Sequence, residues 1–434
     1  MYTRKTLSQK HLLKVTSFTN IHNIGAKLKE RMLEKLRFES IVLITVALVG
    51  ILMVSSVAFS LSSSVTTISS SGAIVTIQPL HVDGSYIKDS NNNTVVLKGV
   101  DVGGFDNCPG GVWEGTDLLT YANWQSNQGL VTATLSTLLS WGCTDVRTFY
   151  AAQYWIQNTN NFQTIVYQYA QLLAQRGMYL IFCPYTIWGW FSASGVRQDS
   201  YSQEPLPYPP YQLYANDSTI ISSQAAYEKM MVSVATTLKN CSNVIIELWN
   251  EPQGNSTNGW FSVMQTTINM IRSAGVNNII LASEGYGIWC NLQYPPPTPP
   301  TYSGGNPAQT LSWVYEYPLN GSNIAYDAHY YDAFGQNITY SQDVQGLTDC
   351  WVPYVLNTLD KPVLFGEIGA DQYYTGVALT EELNTFNNTL RILNSWGTGW
   401  CAWYFNSAGE YGLLKSYAPS WTPSVAGTIV LDYA

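Results

Sequence analysis

Charge is what this chain has least of. Asp, Glu, Lys and Arg make up 11% of its 434 residues, against roughly 25% in ordinary soluble domains. The few cations are also badly spread. Nine of the 20 Lys/Arg fall in residues 1–61, leaving 11 against 26 Asp/Glu in the rest. A body so poor in cations has no basic patch with which to displace counterions, which excludes nucleic acid as a partner. Histidine is nearly absent as well: after His81 only His329 remains. The seven cysteines form neither a CxxC pair nor a Cys/His cluster, so no metal site and no cofactor are expected. The glycines of GVDVGGFD (99–106) lack the GxGxxG spacing of a phosphate loop. So little to titrate also suits a protein exposed to acid.

What is present is apolar and aromatic, with 30 Tyr and 15 Trp. Ile41 to Ser60 carries no charge and is long enough to cross a bilayer. Basic residues precede it, so the N-terminus is expected to be cytoplasmic. Two alternatives stay open: a signal anchor, or a signal peptide that starts at Met32 and is cleaved near Ala58 or Ser60. Either places the body at the cell surface or outside the cell. The expected organisation is a basic leader (1–40), a transmembrane segment or signal peptide (41–61), a Ser/Thr-rich linker (62–78) and a catalytic body (79–434), with a monomer as the simplest assembly.

Within the body, eight apolar strand-like runs recur: 95–104, 143–150, 178–185, 243–251, 278–285, 323–331, 362–367 and 399–405. Amphipathic helices are predicted between them, at 130–142, 164–177, 223–240 and 261–275, three closing on Gly and one on Asn240. Eight strand–helix repeats imply a (β/α)8 TIM barrel. A doubly wound sheet is the alternative, weakened by the absent phosphate loop. Cys143, Cys183 and Cys401 border core strands and read as buried thiols; Cys108, Cys290 and Cys350 read as loop positions open to disulfides.

Two of the runs end on a carboxylate: Glu251 in NVIIELWNEP and Glu367 in KPVLFGEIG. A charge delivered where a buried strand leaves the core is costly unless it has a use. Barrel chemistry sits at the C-terminal ends of strands, so strands four and seven would bring these two together. Paired carboxylates, one protonated and one ionised, are the equipment for breaking a glycosidic bond. The competing reading is a pair of structural ion pairs, and few cations are available to make them. Long insertions after strands three and five, Trp188–Ile221 and Leu292–Trp313, would wall a cleft. Trp113, Trp188, Trp190, Trp289 and Trp351 are candidate sugar platforms, or ordinary packing. Glu284 ends strand five as a third carboxylate near the cleft.

IIELWNEPQ and VLFGEIGA, in that order, resemble the two catalytic signatures of glycoside hydrolase family 5, a clan A barrel family. The resemblance covers residues ~80 to 425. It implies a retaining enzyme with Glu251 as acid/base and Glu367 as nucleophile. It also implies that Arg147 in DVRTFY orients the nucleophile, that His329 and Tyr331 in AHYYDAF are a strand-six pair with the tyrosine touching it, that Asn250 bonds the sugar 2-hydroxyl, and that Trp403 in CAWYF stacks beneath the cleaved sugar. Where the family has a strand-three histidine, this chain has Pro184 and Tyr185, and Gln253 after WNEP is atypical. Likeness in VLFGEIGAD and CAWYFNSAGEYGLLKSY favours a cellulase-type β-1,4-glucan substrate, with β-mannan next. The alternative is a catalytically silent carbohydrate-binding or envelope protein on the same fold.

Overall fold

A computed structural model of the chain describes residues 77–105, 128–158, 161–185, 224–250, 257–283, 314, 318–331, 338–407, 411–416 and 420–434. The basic leader, the apolar stretch 41–61 and nearly all of the Ser/Thr-rich linker lie outside these residues. Among the described residues no helix is long and apolar enough to cross a membrane.

A short antiparallel hairpin, β1 (His81–Asp83) and β2 (Tyr86–Lys88), comes first. Eight strands then close into a barrel: β3 (Lys98–Phe105), β4 (Asp145–Ala151), β5 (Tyr179–Tyr185), β6 (Val244–Glu247), β7 (Ile280–Ser283), β8 (Ile324–Tyr330), β9 (Val363–Ile368) and β10 (Gly399–Ala402). Each pairs in parallel with its neighbour in sequence, and β10 closes on β3. Each matches one of the eight runs read from the sequence. Closure excludes the doubly wound alternative, which would leave open sheet edges.

Helices separate the strands: α1 (Gln128–Ser140), α2 (Ala152–Gln157), α3 (Phe162–Ala174), α4 (Gln224–Leu238), α5 (Thr257–Ser273), α6 (Tyr340–Asp349), α7 (Val352–Asn357) and α8 (Gly376–Trp396). The four predicted helices correspond to α1, α3, α4 and α5. Gly142, Gly177 and Gly275 just beyond three of them have positive φ, the left-handed stop for which glycine has no Cβ penalty. After β10 come a second small hairpin, β11 (Leu414–Ser416) with β12 (Thr422–Pro423), and α9 (Val425–Tyr433), capped by Ser424 accepting from Gly427 N.

Strand alternation sorts side chains into two apolar layers. Outward residues such as Val100, Val146, Phe182, Ile246, Phe365 and Trp400 pack under the helices. Inward residues at the lower end, Leu97, Ile181, Ile245, Leu281, Ala325 and Leu364, fill the barrel and meet Ile77, Leu80 and Ile87 around the first hairpin. Fully burying one such side chain contributes about 1.5–3 kcal/mol. This dry floor offsets the ionisable groups that the same strands bury nearer their C-terminal ends.

The cysteine reading needs one correction. Cys143, Cys183 and Cys401 are free and buried, as expected, and so is Cys241. Cys350, read as a loop position, is also a free buried thiol. It closes α6 with its Sγ 3.2 Å from the Leu347 carbonyl oxygen, inside the helix–barrel core. Cys108 and Cys290 lie outside the described residues.

Candidate active site

Arg147, inward on β4, is the hub. It is fully buried, and its five N–H bonds match five acceptors. Nε donates to Glu247 Oε2 and Nη2 to Glu247 Oε1, both at 2.7 Å. Nη1 donates to Asp101 Oδ1 and to Glu367 Oε1, each at 2.9 Å. Nη2 also reaches Asn250 Oδ1 at 2.9 Å, with Cys183 Sγ 3.4 Å away. The guanidinium lies over the Phe149 ring, 4.6 Å from its centroid. A planar fork with five donors suits this convergence as an ammonium would not.

Glu367, on β9, receives on both oxygens. Arg147 holds Oε1, and the Tyr331 hydroxyl donates to Oε2 at 2.9 Å. His329, beside it in register on β8, has Nδ1 at 3.4 Å from Oε2 and Nε2 at 3.3 Å from Asp327 Oδ2. Asp327 Oδ1 accepts from Gly366 N at 2.9 Å. A Cβ on Gly366 would lie 2.3 Å from that oxygen, closer than atoms can approach. This explains the glycine that precedes Glu367: the carboxylate beneath it leaves no room for a side chain.

Asn250 follows β6, held by its backbone N donating to Pro184 O at 3.0 Å. Trp403 follows β10, half-buried and edge-on to Phe149 with ring centroids 5.4 Å apart. Thus Arg147, Asn250, His329, Tyr331 and Glu367 converge at one end of the barrel, and Phe149 links Trp403 to the same group. Glu251, Glu284 and Trp289 lie outside the described residues, as do Trp113, Trp188, Trp190 and both long insertions. Trp351 is not a sugar platform. It is fully buried before α7, its ring 6.4 Å from that of Tyr326, because α7 turns it into the helix–barrel core.

Three acids of the cluster escaped the sequence reading: Asp101, Glu247 and Asp327, all without exposure. Each stands between apolar residues on its strand (Val100-Asp101-Val102, Ile246-Glu247-Leu248), so strand alternation was the available signal. Burial pushes the Asp101 carboxyl well above the usual range, with Arg147 opposing and Glu367 adding to the rise. Burial raises Glu247 too, again against Arg147. For Arg147, burial works against the charge, but Glu247, by its charge and its hydrogen bonds, leads the groups that outweigh it and hold the guanidinium firmly protonated. On the third barrel strand, β5 presents to Arg147 the thiol of Cys183, which burial and Glu247 keep protonated.

A closed parallel (β/α)8 barrel with arginine-held carboxylates at the C-terminal ends of its strands is the frame of a barrel glycoside hydrolase. The chain belongs to that class by sequence: the model of the cellulase family, glycosyl hydrolase family 5, matches residues 98–409, and the protein is a glycoside hydrolase of this family. No curated protein matches the chain in sequence. Among solved structures, a β-glucanase from Saccharophagus degradans is similar at 15% identity and a TM-score of 0.57, over 85% of this chain and 97% of that one. An endoglucanase catalytic domain from Thermobifida fusca is similar at 17% identity and 0.53, over 82% and 97%. The catalytic domain of the major endoglucanase from Xanthomonas campestris pv. campestris is similar at 17% and 0.55, over 81% and 98%. At such identities these likenesses speak for the fold.

Proposed function

We propose that the protein is a retaining endo-β-1,4-glucanase acting on a polysaccharide outside the cell, with Glu367 as nucleophile and Glu251 as acid/base. The observation that carries this reading is the state of Glu367. Its carboxylate, at a barrel strand's C-terminal end, is gripped on one oxygen by Arg147 and on the other by Tyr331. Donors to the charged form favour ionisation, which an attacking carboxylate needs. Asn250 is tied to the same guanidinium, and Glu251 is the residue that follows it in the sequence. In the first step Glu251 gives its proton to the glycosidic oxygen while Glu367 attacks the anomeric carbon. In the second, Glu251 removes a proton from water, which displaces Glu367 from that carbon, and the configuration is retained overall. Trp403 would offer its ring to the sugar face, and Asn250 its amide to the 2-hydroxyl.

The β-1,4-glucan preference is supported by the family and by the endoglucanase folds the chain resembles. Its action at the cell surface or beyond is supported by the apolar stretch 41–61, whether anchor or leader. Reducing-sugar release from cellulose, glucomannan and mannan tests the substrate. Glu251→Gln and Glu367→Gln should each lose activity by about 10³-fold or more, equivalent to ~4 kcal/mol of transition-state stabilisation. Proton NMR of the first product should show the β-anomer. An α-anomer formed first would overturn the retaining mechanism, and full activity in either variant would overturn the residue roles.

A further inference from the structure

Asp101 is an acid of the cluster that the proposed reaction leaves without a task. It points inward from β3 and is fully buried. The ionisable groups around it are Arg147 on β4, Glu367 on β9, His329 on β8 and Cys401 on β10. Its Oδ1 takes one N–H bond of Arg147 Nη1 at 2.9 Å, and Glu367 Oε1 takes the other at the same distance. Among the described residues, its Oδ2 has no hydrogen-bond partner.

Three carboxyls, those of Asp101, Glu247 and Glu367, accept from one guanidinium, and a fourth, that of Asp327, is buried beside His329 in the same cluster. If all four were ionised, the excess negative charge would be very costly to bury. At least one proton must stay, and the geometry differs sharply among the four. Glu247 accepts on both oxygens from Arg147 at 2.7 Å. Glu367 accepts on both from Arg147 and Tyr331. Asp327 accepts from Gly366 N and has His329 Nε2 3.3 Å from its other oxygen. Asp101 Oδ2 and Asp327 Oδ2 both lack a hydrogen bond among the described residues, but Asp327 Oδ2 has a ring nitrogen of His329 3.3 Å away to oppose its charge. Asp101 Oδ2 has no such contact, and a bare buried oxygen is the worst place for a negative charge.

We infer that Asp101 is a positioning residue that keeps a proton on Oδ2 while Glu367 stays ionised, leaving the shared Arg147 Nη1 to serve the nucleophile. The inference rests on the reading of Glu367 as nucleophile. An ionised Asp101 would compete for Nη1 and set a like charge beside Glu367, raising its affinity for protons. A neutral Asp101 does neither, so Glu367 remains ionised to lower pH. The upward push of burial on the Asp101 carboxyl agrees with this.

The test is infrared difference spectroscopy on the full chain, wild type minus Asp101→Asn, near pH 5. The proposal expects a neutral carboxylic-acid carbonyl band that the variant lacks; loss of an ionised-carboxylate band instead would overturn it. Where the amide does not fold, Asp101→Ser gives the same subtraction. The pH profile of kcat/KM is the second measurement. Replacing a neutral group by a neutral amide should leave the acid limb within about 0.3 units of its wild-type position, whereas removing an ionised neighbour would move it about one unit or more to lower pH. Trapping with a 2-deoxy-2-fluoro-cellobioside and mapping the labelled peptide checks the underlying reading separately. A label on any residue other than Glu367 would sink the nucleophile assignment, while the infrared band would still report the proton on Asp101.

Discussion

Arg147 and Glu247 meet side-on, Nε to Oε2 and Nη2 to Oε1, both at 2.7 Å and with neither side chain exposed. They come from β4 and β6, so the pair straddles the third barrel strand, β5, and fixes the plane of the guanidinium. Once that plane is set, Nη1 can point only toward Asp101 and Glu367. Glu247 therefore aims the arginine at the proposed nucleophile without touching substrate. Cutting one partner from a buried pair leaves an uncompensated charge and costs about 3–5 kcal/mol. Glu247→Ala should lower the thermal midpoint by many degrees and reduce kcat with it. A variant with unchanged melting and unchanged kcat would show that the pair does not orient the site.

Tyr331→Phe removes the hydroxyl that donates to Glu367 Oε2 at 2.9 Å. A hydrogen bond to a charged group is worth about 1.5–3 kcal/mol, so kcat/KM should fall about 10- to 100-fold. Because the lost donor favours the ionised carboxylate, the acid limb of the pH profile should move to higher pH. A limb that stays in place would mean the hydroxyl does not steady that charge.

Gly366→Ala should fail for a reason that lies in Asp327. The added methyl would sit 2.3 Å from Asp327 Oδ1, and the carboxylate is held there by the backbone N of residue 366 itself. Such overpacking costs about 1–3 kcal/mol and displaces Glu367, the next residue. Both the melting temperature and kcat should drop. Pairing the change with Asp327→Ala should recover part of the stability, and no recovery would place the strain elsewhere.

Stability should fall as pH rises through neutrality. Asp145, buried low in the barrel at the start of β4, accepts from the Cys401 thiol at 3.2 Å and from Thr144 Oγ1 at 3.0 Å. Burial nevertheless lifts its carboxyl to about 7, the Cys401 and Thr144 donors opposing the rise. The folded state thus binds this proton more tightly than the unfolded chain does. The associated stability is complete below the unfolded value near 4 and is lost as pH climbs through about 7. Asp101 and Glu247, also raised by burial, act in the same direction. The loss should be on the order of a few kcal/mol, read by denaturant melts at several pH values. Asp145→Asn should flatten the curve. A wild-type protein more stable at pH 8 than at pH 4 would contradict the assignment and the expectation of acid tolerance drawn from composition.

Much of the fold was readable because barrel strands announce themselves twice. Each is an apolar run, and several are followed by a helix that stops on glycine, as at Gly142, Gly177 and Gly275. That Arg147, His329, Tyr331 and Glu367 lie together was readable because strands of one barrel carry them and they resembled a known pattern; their roles are proposals. Cys350 was misread, and of the two readings of Trp351 packing is the one the structure shows, for one reason: a short helix next to a loop turns its side chains inward, and local sequence does not reveal that direction. Asp101, Glu247 and Asp327 were passed over because a charged residue amid apolar ones looks like an interruption until alternation is followed across neighbouring strands.

The chain's own order of residues determined eight parallel strands, their helices and the positions where carboxylates leave the core, since strand period, apolar runs and helix stops are local properties. Which acids share one guanidinium was decided only by barrel closure. Asp101 and Glu367 are 266 positions apart in the sequence, yet both accept from one nitrogen of Arg147. Coulomb energy in a dry interior depends on distance through space, and only the closed barrel sets that distance.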